Sequence, residues 1–145
     1  MKRIGSCALA LTLGMALLAP AATASSKSYA GTVSPSGTVN FRVKTKQQNG
    51  KKVRTVPNFH FDAVPVTCDD GAHTTRGNVT FSVRLNKQKK FNIKAENSAT
   101  GASLNIHGSV AGKTATGTLH VSGDVPIETG STGSNCDSGK LSWTV

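Results

Sequence analysis

The residues of this chain whose number and spacing point most directly to chemistry are its lysines and arginines. Arg42, Lys44, Lys46, Lys51, Lys52 and Arg54 form one group, and Arg84, Lys87, Lys89, Lys90 and Lys94 a second. Neither stretch contains an Asp or Glu, whereas residues 95–145 set Lys113 and Lys140 against Glu96, Asp124, Glu128 and Asp137. A field this uneven attracts polyanions without requiring a pocket. The expected contact set is Arg42, Lys44, Lys46, Lys51, Lys52, Arg54, Lys87, Lys89 and Lys90, acting collectively. The plainer alternative is that these side chains keep exposed strands soluble and discourage edge-to-edge pairing.

Other chemistry finds less to work with. His107 and His120 fall on outward strand positions with His60 as a third imidazole, but no carboxylate stands at an obvious ligand position, and no metal site is expected. Asp69-Asp70-Gly71 resembles the opening of a calcium loop without its spacing or terminal glutamate, and reads as a turn. The seven acids show no recognisable pairing, and there is no G-x-S-x-G, H-E-x-x-H or phosphate loop. A non-enzymatic protein without a cofactor is therefore expected; an enzyme would need a concave site that the residues do not announce. Nucleic acid is the less favoured polyanion, because single-strand binders interleave cations with exposed aromatics. The five phenylalanines here fall mostly on alternating apolar faces.

The chain begins Met1-Lys2-Arg3, continues apolar from Ile4 through Leu18, and reaches Ala22-Thr23-Ala24 before Ser25. A basic start, a short apolar core and a small-x-small site make residues 1–24 a cleaved signal peptide. The apolar run is short for a bilayer span of ~20 residues. Cys7 lies too early in it for lipid modification at the cleavage point. The alternative is an uncleaved anchor. Residues 25–145 then form a single secreted domain with no membrane span of its own. It carries fifteen Lys and Arg against seven Asp and Glu. Removal of the leader leaves two cysteines, Cys68 and Cys136. In an oxidising compartment an even count reads as one disulfide.

The elements that must carry these residues read as strands. Val39, Phe41 and Val43 alternate with Asn40, Arg42 and Lys44, and Asn49-Gly50 supplies a hairpin turn before Val53–Val56. Phe59 and Phe61 alternate likewise, and Pro65 breaks or edges the next piece before Val66 and Cys68. Val79, Phe81, Val83 and Leu85 share a face and are expected to pair across Lys87-Gln88-Lys89 with Phe91 and Ile93, Leu85 opposite Phe91 and Val83 opposite Ile93. Leu104 and Ile106 should meet Val121 and Leu119 across Gly112-Lys113. Residues 123–135 read as a long loop, followed by Cys136 and a last strand with Leu141, Trp143 and Val145. About eight short strands, each with one apolar face, predict an all-β, two-layer antiparallel sandwich with one disulfide; a small β-barrel is the alternative.

Several of these pieces carry a resemblance: Tyr29-Ala30-Gly31-Thr32, Pro65-Val66-Thr67-Cys68, Gly112 to Leu119 ending Gly117-Thr118-Leu119, and Cys136-Asp137-Ser138-Gly139 with Trp143. Together they resemble a group of small exported proteins of high-GC Gram-positive (actinobacterial) origin, expected to be β-sandwiches. The resemblance implies fold and location, not an activity. The functional expectation is thus a secreted module at the cell surface whose partner is an anionic wall polymer, or, if its charge is incidental, another extracellular protein.

Overall fold

Asn49 and Gly50 adopt φ angles of 51° and 72° in the structure, a computed structural model that describes residues 23–145. Two successive positive φ values make the tight turn whose twist matches its flanking strands. Strand β2 (Thr38–Gln48) accordingly folds back onto β3 (Lys51–Val56), with Lys44 opposite Thr55 and Lys46 opposite Val53. The first 22 residues of the expected leader lie outside the described residues.

Nine further strands complete the fold. They are β1 (Ser25–Ser34), β4 (Phe59–Cys68), β5 (Gly71–Val79), β6 (Val83–Arg84), β7 (Lys90–Asn97), β8 (Ala102–Ala111), β9 (Thr114–Pro126), β10 (Thr132–Asp137) and β11 (Leu141–Thr144). All pairings are antiparallel and all eleven strands join one hydrogen-bonded network. The all-β antiparallel class holds, but the described residues form eleven strands rather than about eight. Among the described residues no helix is long and apolar enough to cross a membrane.

Two strands serve two partners along one edge. The start of β2 pairs with β4, Val39 opposite Phe61, while its end pairs with β3. On β9, Gly117 and Leu119 face β11, and Ser122 to Pro126 face β10. The pairings β4–β10–β9–β11–β1–β2–β4 therefore close on themselves. The β8–β9 hairpin has the expected register, Leu104 opposite Val121 and Ile106 opposite Leu119.

The hairpin expected between Val79–Leu85 and Phe91–Ile93 does not form. Backbone bonds from Lys89 N to Asn86 O and from Asn86 N to Lys90 O close the turn, after which the two arms diverge. Val83 pairs with Val56 of β3, and Phe91 and Ile93 pair with Gly108 and Ile106 of β8. Leu85 is buried, but Phe81 is 46 % exposed in the irregular stretch between β5 and β6. The stretch read as a loop over residues 123–135 contains the end of β9 and the start of β10.

An aromatic cluster centres the core. Phe41 stacks on Tyr29 at 5.0 Å and on Phe59 at 5.4 Å, and meets the edge of Trp143 at 5.6 Å. Each such pair contributes about 0.5–1.5 kcal/mol beyond the area it buries. Three rings lie over glycines directly opposite them on the neighbouring strand: Phe61 over Gly77, Phe91 over Gly108 and Trp143 over Gly117. A Cβ at any of the three glycines would overlap the ring.

The disulfide is aimed by two bulges. Phe59 and Phe61 point inward at odd positions, but a register shift at Asp62-Ala63, with Ala63 at φ 52°, turns even-numbered Val64, Val66 and Cys68 inward instead. A second shift between Gly133 and Cys136, with Asn135 at φ 48°, does the same for Cys136. An extra residue reverses side-chain parity, and the paired reversals bring Cys68 and Cys136 into the expected disulfide. Asn135 is held by its N–H donating to Asp124 Oδ1 at 2.9 Å and its Nδ2 donating to Asp69 Oδ2 at 2.7 Å.

Candidate functional site: a basic groove and its adjoining cup

Period-two alternation divides the basic residues between faces. On β2, Val39, Phe41 and Val43 point into the core, so Arg42, Lys44 and Lys46 point out. On β3, Lys52 and Arg54 share the parity of buried Val56 and stand beyond the end of the core.

The short β3–β6 pairing joins the two groups that the sequence keeps apart. Thr55 lies opposite Arg84, Leu85 N donates to Arg54 O at 2.9 Å, and an Arg84 guanidinium nitrogen donates to Gln48 Oε1 at 3.4 Å. A groove of about 600 Å³ results along the edge of β3, bordered by Lys51, Val53 and Arg84 from the face that carries Lys44 and Lys46, by Lys52 and Arg54 from the opposite face, and by Leu85 and Lys87. Lys44 and Lys46 line a separate outer groove with Val53, Thr55, Pro57 and Ser82. Arg42 lies opposite Ser28 and Lys90 opposite Ser109, and neither lines these grooves. The nine expected residues are thus split: Lys51, Lys52, Arg54 and Lys87 come together, and Lys44 and Lys46 form a second pair. Arg84 joins the first group, although it was outside the expected set.

Around the corner from the groove lies a cup of about 450 Å³ that shares Arg54 and Leu85 with it. Its floor is the buried surface of Tyr29, Val43, Leu85 and Val110, and Lys27, Arg54 and Lys89 stand among its lining residues. The Tyr29 hydroxyl donates to Gly112 O at 2.9 Å, and the Lys27 ammonium donates to the same carbonyl while lying 5.4 Å from the Tyr29 ring centroid. Burial pushes the Tyr29 hydroxyl above the ordinary tyrosine pKa, and the charge of Arg54 acts in the opposite direction. Lys27 escaped the sequence reading, although its parity matches that of Tyr29 and so places it on the same face.

Lys89 is held in an unusual conformation. Its φ is 60°, a region that costs a non-glycine residue about 1 kcal/mol or more. Asn86 enforces it: Asn86 Oδ1 accepts bonds from Gln88 N and Lys90 N, both at 2.9 Å. Lys89 O in turn accepts from Val110 N at 3.0 Å, tying the turn to β8.

None of these cations is neutralised by a neighbouring carboxylate. The three close contacts between a basic side chain and a carboxylate among the described residues all use histidine: His73 with Asp70 and Glu128, and His120 with Asp137. His73 clamps β5 to the β9–β10 connection, its Nδ1 3.1 Å from Glu128 Oε1 and its Nε2 3.0 Å from Asp70 Oδ1. Glu128 Oε2 also accepts the Thr74 N–H at 2.7 Å, and this backbone bond is the main reason its pKa falls to about 2. His120 and His107 lie diagonally across the β8–β9 hairpin as the sequence suggested, since their register partners are Asn105 and Thr118. Among the described residues no three His, Cys, Asp or Glu side chains gather as a metal site.

Compared with family models, with curated proteins and with solved structures, the chain finds no match. The functional reading therefore rests on the residues and their arrangement.

Proposed function

We propose that this is an exported, non-enzymatic protein that binds an anionic polymer at the cell surface through the groove between β3 and β6. The observation that carries the reading is the Thr55–Arg84 pairing, which brings Arg84 and Lys87 to the same β3 edge as Lys51, Lys52 and Arg54. Cations kept only for solubility have no reason to converge from two distant segments, since like charges repel and gain nothing from shared lining. The lack of carboxylate partners leaves the field of these five uncompensated. A flexible polyanion is the chemistry this suits: its phosphate or carboxylate groups release counterions on binding, and no base-stacking aromatic lines the groove. The disulfide fits an oxidising, extracytoplasmic setting.

The test is binding of the purified protein to immobilised teichoic acid, with polyphosphate and duplex DNA alongside, over a salt series. If five cations engage, the slope of log K against log salt should be about −3.5, using ~0.7 counterions per contact for a flexible single strand. That corresponds to roughly a hundredfold loss of affinity between 50 and 200 mM salt. A variant carrying Lys51→Gln, Lys52→Gln, Arg84→Gln and Lys87→Gln should lose most of the binding and nearly all of the slope. Binding that ignores salt, or survives in the variant, would overturn the proposal and turn the search to a protein partner.

A further inference from the structure

The cup beside the groove has a different construction, and it supports a ligand of its own. It is more enclosed than the groove, and buried Tyr29, Val43, Leu85 and Val110 form its floor. Its cations come from three separate places in the chain: Lys27 on β1, Arg54 on β3 and Lys89 in the β6–β7 turn. No Asp or Glu is among the lining residues. Three positive charges around one concavity repel one another, so the arrangement relaxes when an anion enters. Lys89 is present in a backbone conformation that glycine would adopt freely, and strain of this kind clusters where a side chain must be aimed. The volume of about 450 Å³ lies in the range of small-ligand sites.

We infer that the cup formed by Tyr29, Val43, Leu85 and Val110 under Lys27, Arg54 and Lys89 binds a small amphipathic anion: one phosphate or carboxylate group on a short apolar body. The acid group meets Arg54 and Lys89, with Lys27 at the far side. The apolar body lies on Val43, Leu85 and Val110 and against the Tyr29 ring. The site does not depend on the polymer reading, because Lys27, Lys89 and the apolar floor lie outside the groove; only Arg54 and Leu85 are shared with it.

The experiment uses the only tyrosine of the chain as the reporter. The purified protein, labelled at tyrosine for NMR, is titrated with hexyl phosphate, with inorganic phosphate and with 1-hexanol. Hexyl phosphate should shift the Tyr29 ring resonances saturably. Inorganic phosphate and 1-hexanol should each bind at least about tenfold more weakly, since each lacks one half of the recognised chemistry. Arg54→Gln and Lys89→Gln should each weaken hexyl phosphate about fivefold to tenfold, the usual loss of one partly exposed charge-assisted contact. Lys140→Gln, on the opposite charge region, should leave it unchanged. Thermal melts of the variants establish that they fold. The Lys51→Gln, Lys52→Gln pair should retain hexyl phosphate while weakening polymer binding and its salt dependence, which separates this site from the groove. No saturable shift, equal shifts by 1-hexanol, or equal affinity in Lys89→Gln would each overturn the inference.

Discussion

Gly108→Ala tests whether the glycines opposite core rings are there to make room for them. The Cβ of an alanine at 108 would overlap Phe91 Cζ and Cε1, and even Cε2 would be only 2.9 Å away. The ring has to move, yet it is wedged at centroid distances of 5.6 Å from Phe41, 6.3 Å from Phe59 and 6.3 Å from Trp143. Overpacking of this kind costs about 1–3 kcal/mol. Disturbing three aromatic contacts argues for the upper half of that range. Alanine also restricts the unfolded chain, which offsets about 0.4–1 kcal/mol. The expected net loss is about 2 kcal/mol. Phe91→Ala alone should cost about 3–5 kcal/mol by emptying the ring's site. In the double variant the overlap no longer exists, so the cost should stay close to that of Phe91→Ala, a coupling of about 2 kcal/mol. Urea unfolding followed by the fluorescence of Trp143, the only tryptophan, measures all three. Additivity within about 0.5 kcal/mol would refute the steric account. Gly50→Ala is the control: nothing lies within 4 Å of its Cβ, so only its φ of 72° opposes alanine and no coupling to Phe91 should appear.

Three further outcomes are expected. Cys68→Ser with Cys136→Ser opens a closed loop with a sequence separation of 68, which the chain-entropy model values at ~4 kcal/mol; a urea midpoint unchanged from the parent would contradict this. The clamp on β5 should give a pH window. Glu128, lowered from 4.5 to about 2, contributes stability present above pH 4.5 and lost as pH falls toward 2. His73, raised above 6.5, contributes stability present below pH 6.5 and lost as pH rises through its folded value. The clamp is therefore strongest between pH 4.5 and 6.5, and melting curves of His73→Gln against pH should lose the decline above that window. Lys89→Gly should raise stability by about 0.5 kcal/mol, as relief of the φ strain outweighs the added freedom of the unfolded chain, and should weaken hexyl phosphate binding in the same sample.

Where a strand's inward positions hold their own apolar side chains, the residues show it plainly. Leu104, Ile106, Leu119 and Val121 predict their own register, and Asn49-Gly50 its own turn. Strand β5 was hidden because its share of the core is filled from outside: Gly77 yields its space to the Phe61 ring, leaving Val79 as the only large apolar residue buried from the strand. The start of β10 was hidden for a similar reason, since a Cβ on Gly133 would press against both cysteine sulfurs, Cys136 Sγ at 2.7 Å and Cys68 Sγ at 2.8 Å. Glycine in a strand reads locally as a turn, and only the partner across the sheet reveals why it is small. The bulges at Ala63 and Asn135 add a second difficulty, because each reverses parity midway through a strand. The basic residues were legible as a list, but their grouping was not. It depends on β6 leaving its sequence neighbour β7 for β3, a choice made by nonlocal packing of Val83 against Val56.

The position of β11 has a consequence for how the molecule is assembled. This strand fills the gap between β1 and β9, with Val33 opposite Trp143 and Leu119 opposite Leu141. A chain made from its N-terminus presents β1 early, and that strand keeps one edge unsatisfied until residues 141–144 arrive. The circuit of pairings then shuts in a single late event that also delivers Trp143 into the aromatic cluster. Contacts this distant along the chain are slow to form. The expected folding behaviour is an open chain that locks only once residues 141–144 are available to pair.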